Sequence, residues 1–289
     1  MIKNILSFFF LVFWAAITNA QTNTYHTKQN TPPVIAGVAD SLHSDILGEN
    51  RRLAIYLPPG YSPDSAYTYP VIYLLDGGAE EDFLHVAGLV QYFTTPWVKQ
   101  FPPSIIVGIE NVNRQRDFTY ATDNLDFVTK MGLNKKNFGA TGGSAKFINF
   151  IEKELQPFIK THYKTNGTNS IIGESLGGLL ATEILFKAPS LFSTYVIISP
   201  SLWWGNESLL KTTPAIANNN FTDKVKIYVG AADKKENDVM YTDATTLALQ
   251  LRNIHRPNIS VHFDYLAGEK HATIIHQAVY NAFKILYAK

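Results

Sequence analysis

The sequence of 289 residues contains no cysteine. Without cysteine there is no thiolate nucleophile, no cysteine-ligated zinc, no iron–sulfur cluster and no disulfide bond. Covalent catalysis by this chain would therefore use an oxygen or a nitrogen nucleophile. A surplus of charge of one sign is also missing, because 25 Lys and Arg residues face 24 Asp and Glu residues. With charges so balanced, the sequence has no excess of basic residues to bind the phosphate backbone of a nucleic acid, so we expect no nucleic-acid partner.

An apolar run long enough to span a membrane is missing from the N-terminal region as well. The uncharged run at residues 5–17 follows Lys3 and falls short of the roughly 20 residues that a spanning helix needs. Thr18 and Ala20 precede Gln21 in the manner of a signal-peptidase site. We predict that residues 1–20 are a secretory signal peptide, with a retained anchor as the alternative. The cleaved protein would be periplasmic or secreted, without a membrane anchor.

The composition, with 46% apolar and 17% charged residues, is that of a globular protein with a sizeable core. Residues 21–43 are polar and contain Pro32-Pro33, so we expect a loosely ordered lead-in there. No linker or shift in composition divides residues 44–289. We therefore predict that these residues form a single domain.

Strand and helix patterns alternate along this domain. Apolar runs and alternating patterns predict strands at 52–57, 71–75, 104–109, 170–172, 195–198, 225–229 and 259–266. Amphipathic or Leu- and Ala-rich segments predict helices at 145–160, 179–187, 241–252 and 272–287. This alternation predicts an α/β fold whose mostly parallel central sheet carries helices on both faces. The long polar segment 110–143 has weak periodicity, and we expect it to wall a functional pocket.

One pentapeptide, Gly173-Glu174-Ser175-Leu176-Gly177, matches the pattern G-x-S-x-G. A predicted strand precedes it and a predicted helix follows it, as a nucleophile elbow requires. Glycine permits the strained turn and the close approach of neighbouring backbone that this elbow needs. We predict Ser175 as the nucleophile; the alternative is an ordinary glycine-rich turn.

A serine nucleophile needs a histidine base and an acid that orients it. Of eight histidines, His271 alone directly follows the last predicted strand and precedes the last helix, and the chain order serine, acid, histidine selects it. The acid should follow the strand at 225–229. Asp233 is three residues beyond that strand and is preferred to Glu236, which is six residues beyond it. The alternative for Asp233 is an exposed turn carboxylate.

The tetrahedral intermediate needs two N–H donors for its oxyanion. The backbone N–H of Leu176 is one candidate, because it follows the nucleophile at a helix N-terminus. The N–H of Gly78 is the other, since Asp76-Gly77-Gly78 follows the predicted strand at 71–75. The alternative is that these glycines only form a turn.

Several motifs of this sequence occur in a fixed order: Leu74 to Gly77, Val107 to Ile109, Arg114 to Thr119, Gly173 to Gly178, Ser199 to Trp204 and Gly268 to His271. From about Arg51 to the C-terminus they resemble the putative-esterase family of α/β-hydrolases. This family includes siderophore, feruloyl and acetyl-xylan esterases, S-formylglutathione hydrolases and mycolyl transferases, and the sequence looks closest to the trilactone siderophore esterases. The resemblance implies an α/β-hydrolase fold and the site assignment given above. The family often has Glu at the acid position, here Asp233, and commonly Gly after the catalytic histidine, here Ala272.

The function that these features predict is a serine esterase acting through an acyl-enzyme, without a metal or an organic cofactor. Its substrate would be a small-molecule or carbohydrate ester, and a ferric catecholate trilactone siderophore is one candidate. Alternatives are a feruloyl or acetyl esterase acting on carbohydrate, an acyltransferase, and a non-catalytic hydrolase fold that binds a ligand.

Four further residues are candidates for substrate binding. Arg114 and Arg116 lie in the segment after the third predicted strand, and Trp203 and Trp204 follow a later strand toward the same edge of the sheet. Guanidinium groups beside indole rings suit an anionic, aromatic ligand. The alternative is that one arginine pairs internally with Asp117 and that the tryptophans pack in the core or at the rim.

Overall fold

The structure, a computed structural model, describes residues 36–287 of the chain. The predicted signal peptide at 1–20 lies outside these residues, as does most of the predicted lead-in at 21–43. The described end of that lead-in belongs to strand β1 (Val38–Ser44), which pairs antiparallel with β2 (Glu49–Tyr56). The sheet therefore begins before residue 44, where we expected the domain to start.

A sheet of eight strands forms the centre of the described chain, in the order β1-β2-β4-β3-β5-β6-β7-β8. The strands after the first hairpin are β3 (Tyr69–Leu74), β4 (Ile105–Ile109), β5 (Thr165–Glu174), β6 (Thr194–Ile198), β7 (Val225–Ala231) and β8 (Ile259–Tyr265). β2 pairs antiparallel with β4, whereas every pair from β4 across to β8 is parallel. The predicted mostly parallel sheet is confirmed.

Helices cover both faces of this sheet. Val71 and Tyr73 of β3 belong to one buried cluster and Ile72 and Leu74 to another, because successive side chains of a strand point to opposite faces. The first cluster includes buried residues of α2 (Arg114–Phe118), α3 (Asp126–Lys130), α4 (Ser144–Phe150), α5 (Gln156–His162), α6 (Leu176–Lys187) and α7 (Asp238–Arg252). The second includes those of α1 (Phe83–Thr94) and α8 (Ile274–Leu286). Within residues 36–287, no helix has both the length and the apolar character needed to cross a membrane.

The helix predicted at 145–160 is present but is not uniform. A wider, π-helical turn at Ile151–Leu155 separates α4 from α5. Pro157 stands in the first turn of α5, and since proline has no N–H it cannot donate to the carbonyl of residue 153. The hydrogen-bond ladder is irregular here, which the spacing of apolar residues does not reveal.

Three sharp turns lie at the edge where the parallel strands end. Asp76 follows β3, Ser175 follows β5 and Ser199 follows β6, and their φ angles are 51°, 59° and 36°. A residue other than glycine rarely adopts positive φ, and such strain is concentrated at functional sites. The predicted nucleophile is therefore one of three strained residues at a single edge of the sheet.

Candidate active site

Ser175 occupies the turn between β5 and α6, where close backbone contacts fix its position. A Cβ atom on Gly173 would lie 2.4 Å from the carbonyl oxygen of Gly177, and one on Gly178 would lie 2.9 Å from that of Ile198. Both distances are too short for a real side chain. The Ser175 N–H donates to the Ile198 carbonyl over 3.0 Å, which ties the turn to the end of β6.

The backbone N–H of Leu176 lies next to this serine. Leu176 is the first residue of α6, so its N–H has no acceptor within the helix. The N-terminus of a helix also favours negative charge, because its peptide dipoles are aligned. Leu176 therefore has the properties that we predicted for an oxyanion donor.

His271 lies in the loop between β8 and α8, and its Nε2 atom is 3.0 Å from Oγ of Ser175. Nδ1 of the same ring is buried and has no hydrogen-bond partner among the described residues. Burial lowers the pKa of His271; the charge of Glu236 opposes this shift and that of Arg114 adds to it. A histidine with a lowered pKa is neutral at pH 7 and can accept the serine proton.

The acid that we predicted, Asp233, does not contact the His271 ring. Its Oδ1 accepts the N–H of Lys235 over 3.0 Å and the hydroxyl of Tyr265 over 3.0 Å, and these bonds lower the pKa of Asp233. Glu236 is placed differently: its Oε2 accepts the backbone N–H of His271 over 2.5 Å. Of the two candidates, the structure brings only Glu236 to the histidine.

A further carboxyl group, which the sequence did not single out, lies beside the Ser175–His271 pair. Oε1 of Glu174 is 3.3 Å from Nε2 of His271, and the Glu174 side chain is only 17% exposed. Burial raises the pKa of Glu174 to about 8, with Arg114 opposing the shift and Asp76 adding to it. The pattern G-x-S-x-G accepts any residue at the position of Glu174, so nothing in the sequence marks this residue as functional.

Gly78, the second predicted oxyanion donor, has its N–H occupied. It donates to Oε2 of Glu81 over 2.7 Å, and Oε1 of the same carboxylate accepts from Asn111 over 2.7 Å. The turn itself is tightly packed, because a Cβ on Gly77 would lie 2.4 Å from Cα of Gly108. Gly78 can serve an oxyanion only when Glu81 gives up this hydrogen bond.

Ser175 opens onto a cleft of about 540 Å³. The lining residues are Val112, Asn113, Arg114, Gln115, Leu133, Phe138, Ser175, Leu176, Ser201 and Trp203. Six of them come from the segment 110–143, which therefore walls the cleft as we expected. Ser201 was not predicted; its buried hydroxyl is 3.3 Å from Oγ of Ser175. Serine and threonine follow several of the strands, so the sequence alone does not show that Ser201 lies beside Ser175.

Two of the four predicted substrate-binding residues do not line the cleft. Arg116 bonds to Asp117 through Nε over 2.7 Å and to Glu49 through both terminal nitrogens, in an ion-pair cluster that includes buried Arg51. Trp204 is fully buried and packs in the core. Neither residue faces the cleft, and the alternative of internal pairing for Arg116 and core packing for Trp204 describes their positions.

The other two predicted substrate-binding residues do line the cleft. Arg114 pairs with both carboxylate oxygens of Asp76, at 2.6 and 2.8 Å, and keeps a third of its side chain exposed. Trp203 lines the cleft beside Ser201 with a small exposed part of its indole, since the residue is only 7% exposed and otherwise packs in the core. The cleft thus combines an aromatic surface with one guanidinium group whose charge is largely compensated. Among the described residues, no group of three or more His, Asp or Glu side chains is arranged to hold a metal ion.

Comparison with known proteins gives concordant matches. Residues 44–273 match the model of the family described as "Putative esterase". The chain is 28% identical over 248 residues to the ferri-bacillibactin esterase BesA of Bacillus subtilis, covering 82% of this chain and 85% of that protein. An IroE-like serine hydrolase from Shewanella oneidensis is similar in structure, with a TM-score of 0.78 and 31% identity over 87% of this chain and 80% of that one. The BES protein from Bacillus cereus gives a TM-score of 0.77 and 27% identity over 91% of this chain and 100% of that one. Together with the strand order, these likenesses show the α/β-hydrolase fold.

Proposed function

Because the chain belongs to the putative-esterase family, we propose that it is a serine esterase that cleaves carboxylic esters through an acyl-enzyme on Ser175. The observation that carries the proposal is the 3.0 Å approach of His271 Nε2 to Ser175 Oγ, at a strained elbow that opens onto a cleft. Nucleophile and base within hydrogen-bond reach are the signature of an activated serine.

In the proposed first half-reaction, Oγ of Ser175 attacks the ester carbonyl carbon and its proton moves to Nε2 of His271. The electron pair of the carbonyl bond moves to oxygen, which accepts a hydrogen bond from the Leu176 N–H. When the intermediate collapses, the bond to the alkoxy oxygen breaks and the Nε2 proton passes to that oxygen. The alcohol leaves and the acyl group stays on Ser175.

The second half-reaction repeats these steps with water. Nε2 takes a proton from the water as its oxygen attacks the acyl carbonyl, and the same N–H holds the oxyanion. Collapse breaks the bond to Oγ, and the proton on Nε2 returns to the serine. The products are a carboxylic acid and the free enzyme, so no cofactor enters the balance.

We assign the orienting acid to Glu236 in place of Asp233. One of its carboxylate oxygens accepts the His271 backbone N–H, its negative charge opposes the lowering of the His271 pKa that burial causes, and the buried Nδ1 of that ring has no hydrogen-bond partner among the described residues. A carboxylate there would hold the ring in the tautomer that leaves Nε2 free to accept the serine proton. Asp233 instead anchors its own loop, since its N–H donates to the Glu269 carbonyl over 2.9 Å.

The proposed substrate is a siderophore ester that carries aromatic rings near the ester bond. The Bacillus subtilis relative is, by its name, an esterase of ferri-bacillibactin. In this chain, Trp203 and Phe138 offer aromatic surfaces to such a ring, and Arg114 offers the exposed part of a guanidinium group. We also propose that residues 1–20 direct export, which would place the enzyme where an imported siderophore arrives.

A fluorophosphonate probe tests the serine assignment directly. The wild-type protein should be labelled once, at Ser175, whereas Ser175→Ala should be unlabelled and inactive, yet keep the wild-type melting temperature, because the hydroxyl makes no core contact. Labelling of the alanine variant at the wild-type rate would contradict the proposal.

A panel of esters tests the substrate class. We expect a higher kcat/KM for a catecholate trilactone than for an aliphatic ester of equal length, and a selective loss of that preference in Trp203→Leu. Trp204→Leu is the matched control, since Trp204 is fully buried beside Trp203 in the same core cluster and does not line the cleft. Equal values for the two esters in the wild type would leave an esterase whose substrate is not of this class.

A further inference from the structure

The residue before the nucleophile, Glu174, carries a carboxyl group for which the proposed mechanism has no use. It ends β5 and pairs with Ile198 in the parallel ladder to β6, so its backbone is as fixed as that of Ser175. Its Oε1 is buried, has no hydrogen-bond partner among the described residues, and lies 3.3 Å from Nε2 of His271. Leaving a buried carboxyl oxygen unpaired is costly, so its position beside Nε2 calls for an explanation.

The two nitrogens of the His271 ring have different neighbours. Nδ1, where a catalytic triad places its acid, has no partner among residues 36–287. Nε2, the atom that receives the serine proton, has both Oγ of Ser175 and Oε1 of Glu174 within 3.3 Å. Oε1 of Glu174 therefore lies beside the nitrogen of His271 that gains a proton, and a positive charge, in the proposed reaction.

The charges around Glu174 come from three neighbouring segments besides the His271 loop. Arg114 of α2 reaches its backbone carbonyl over 3.4 Å, and Asp76, after β3, is itself paired with Arg114. Asp82, before α1, adds a second negative charge that raises the pKa of Glu174. Burial is the largest cause and brings this pKa to about 8. Glu174 is therefore largely protonated at pH 7 and ionises just above it.

We infer that Glu174 is a positioning residue for His271, whose carboxylate stabilises the imidazolium from the Nε2 side during the reaction that we propose for Ser175. At a pH above the pKa of Glu174, the side chain has lost its proton to solvent and its carboxylate lies beside Nε2. When the Ser175 proton then moves to Nε2, the new positive charge forms within 3.3 Å of a negative one. The proton is still delivered to the leaving alkoxy oxygen, so the balance of the ester reaction is unchanged.

The sign of the resulting pH effect follows from this geometry. While Glu174 is protonated, it is neutral and contributes little to the stability of the imidazolium. Once Glu174 has lost its proton, its negative charge makes His271 a stronger base and stabilises the imidazolium that forms. As the pH increases, kcat/KM therefore rises a second time, after the rise caused by deprotonation of His271 itself. We expect this second rise to be about tenfold, which corresponds to about 1.4 kcal/mol in the barrier.

The test compares pH profiles of kcat/KM for the wild type and Glu174→Gln, with a simple p-nitrophenyl ester as substrate. Glutamine keeps the shape of the side chain but cannot ionise, so the variant should show the His271 step and lack the second rise near pH 8. Glu110→Gln is the matched control, because Glu110 lies at the same edge of the sheet, pairs with Arg52 and does not contact His271. It should keep both steps.

An infrared difference spectrum gives a readout that does not depend on activity. Between pH 7 and 9 the wild type should lose more protonated-carboxyl stretching intensity than Glu174→Gln, by the amount of one carboxyl group, while both proteins melt at the same temperature. Asp243, whose pKa burial raises to about 7, contributes equally to both spectra. A second rise that persists in Glu174→Gln, or a wild type without any second step, would overturn the inference while leaving the esterase intact. A wild type that neither hydrolyses esters nor reacts with fluorophosphonate would instead overturn the proposed function.

Discussion

The turn at residues 173–178 and the loop at residues 232–237 both contact the Ser175–His271 pair, but they hold their side chains in place by different means. In the turn, backbone packs against backbone: a Cβ on Gly173 would lie 2.4 Å from the Gly177 carbonyl oxygen. In the loop, side chains that reach out from an exposed backbone make the contacts. There, Oε2 of Glu236 contacts the His271 N–H at 2.5 Å, while Asp233 bonds within its own neighbourhood.

This difference explains why one region has a strict sequence signature and the other does not. Backbone contacts as short as those of Gly173 tolerate only glycine, so the sequence around the nucleophile is constrained residue by residue. A carboxylate delivered by a flexible side chain can come from more than one position of a loop, provided that it reaches the ring. The position of Ser175 is thus set by backbone packing, and the position of the carboxylate near His271 by the reach of a side chain.

The largest effect should come from breaking the turn. Gly173→Ala would force α6 away from β5, because the new methyl group meets backbone atoms that cannot rotate aside. We expect a loss of about 3 kcal/mol in unfolding free energy and the loss of fluorophosphonate labelling, measured by thermal or denaturant unfolding and by the probe.

Gly88 provides the control for this experiment. It lies in α1, and a methyl group added there would meet no atom of another element within 4 Å, so Gly88→Ala should keep full activity and stabilise by up to about 1 kcal/mol. A Gly173→Ala protein that keeps both its stability and its labelling would mean that the turn is far more plastic than its contacts indicate.

The second effect concerns the loop and separates its two carboxylates. Glu236→Gln should lower kcat by about 100-fold, because the variant can no longer stabilise the His271 imidazolium. Asp233→Asn should lower it by about twofold or less, since it changes only exposed loop contacts. Rate measurements under saturating substrate decide between them.

The reverse order of these two effects would return Asp233 to the role predicted from the sequence. Equal, small effects would mean that neither carboxylate orients the ring and that the pair works without an acid on Nδ1. In that case the Glu174 carboxylate would be the one close to the ring.

How far the sequence predicts this site depends on the same distinction. The strand, turn and helix around Ser175 and the loop position of His271 follow from local patterns, and the structure places Oγ of Ser175 3.0 Å from Nε2 of His271. The choice between Asp233 and Glu236 cannot be predicted from local patterns, because the number of residues along an exposed loop does not determine which side chain turns toward the His271 ring. Spacing from the strand favoured Asp233, and the structure brings Glu236 to His271 instead.

Arg114 and Arg116 are a second case in which the sequence alone does not predict where a side chain points. The sequence suggested no helix there, and both arginines were assigned to the substrate. In the short helix α2, residues two apart lie about 200° apart around the axis, so Arg114 faces the cleft while Arg116 faces Glu49 and Asp117. Two like residues in one motif can therefore have unrelated roles.

The smallest effect is a shift in the acid limb of the pH profile of kcat/KM. Only neutral His271 can accept the serine proton, so activity falls as the pH drops through its pKa, which burial lowers below the ordinary value. The charge of Glu236 opposes that lowering, so Glu236→Gln should move the acid limb to still lower pH, whereas Asp233→Asn should leave it in place. Glu174 is protonated throughout this range and does not contribute. An acid limb that moved to higher pH in Glu236→Gln would mean that Glu236 does not act on the His271 ring as an anion, and the loop would then hold His271 only through its backbone N–H.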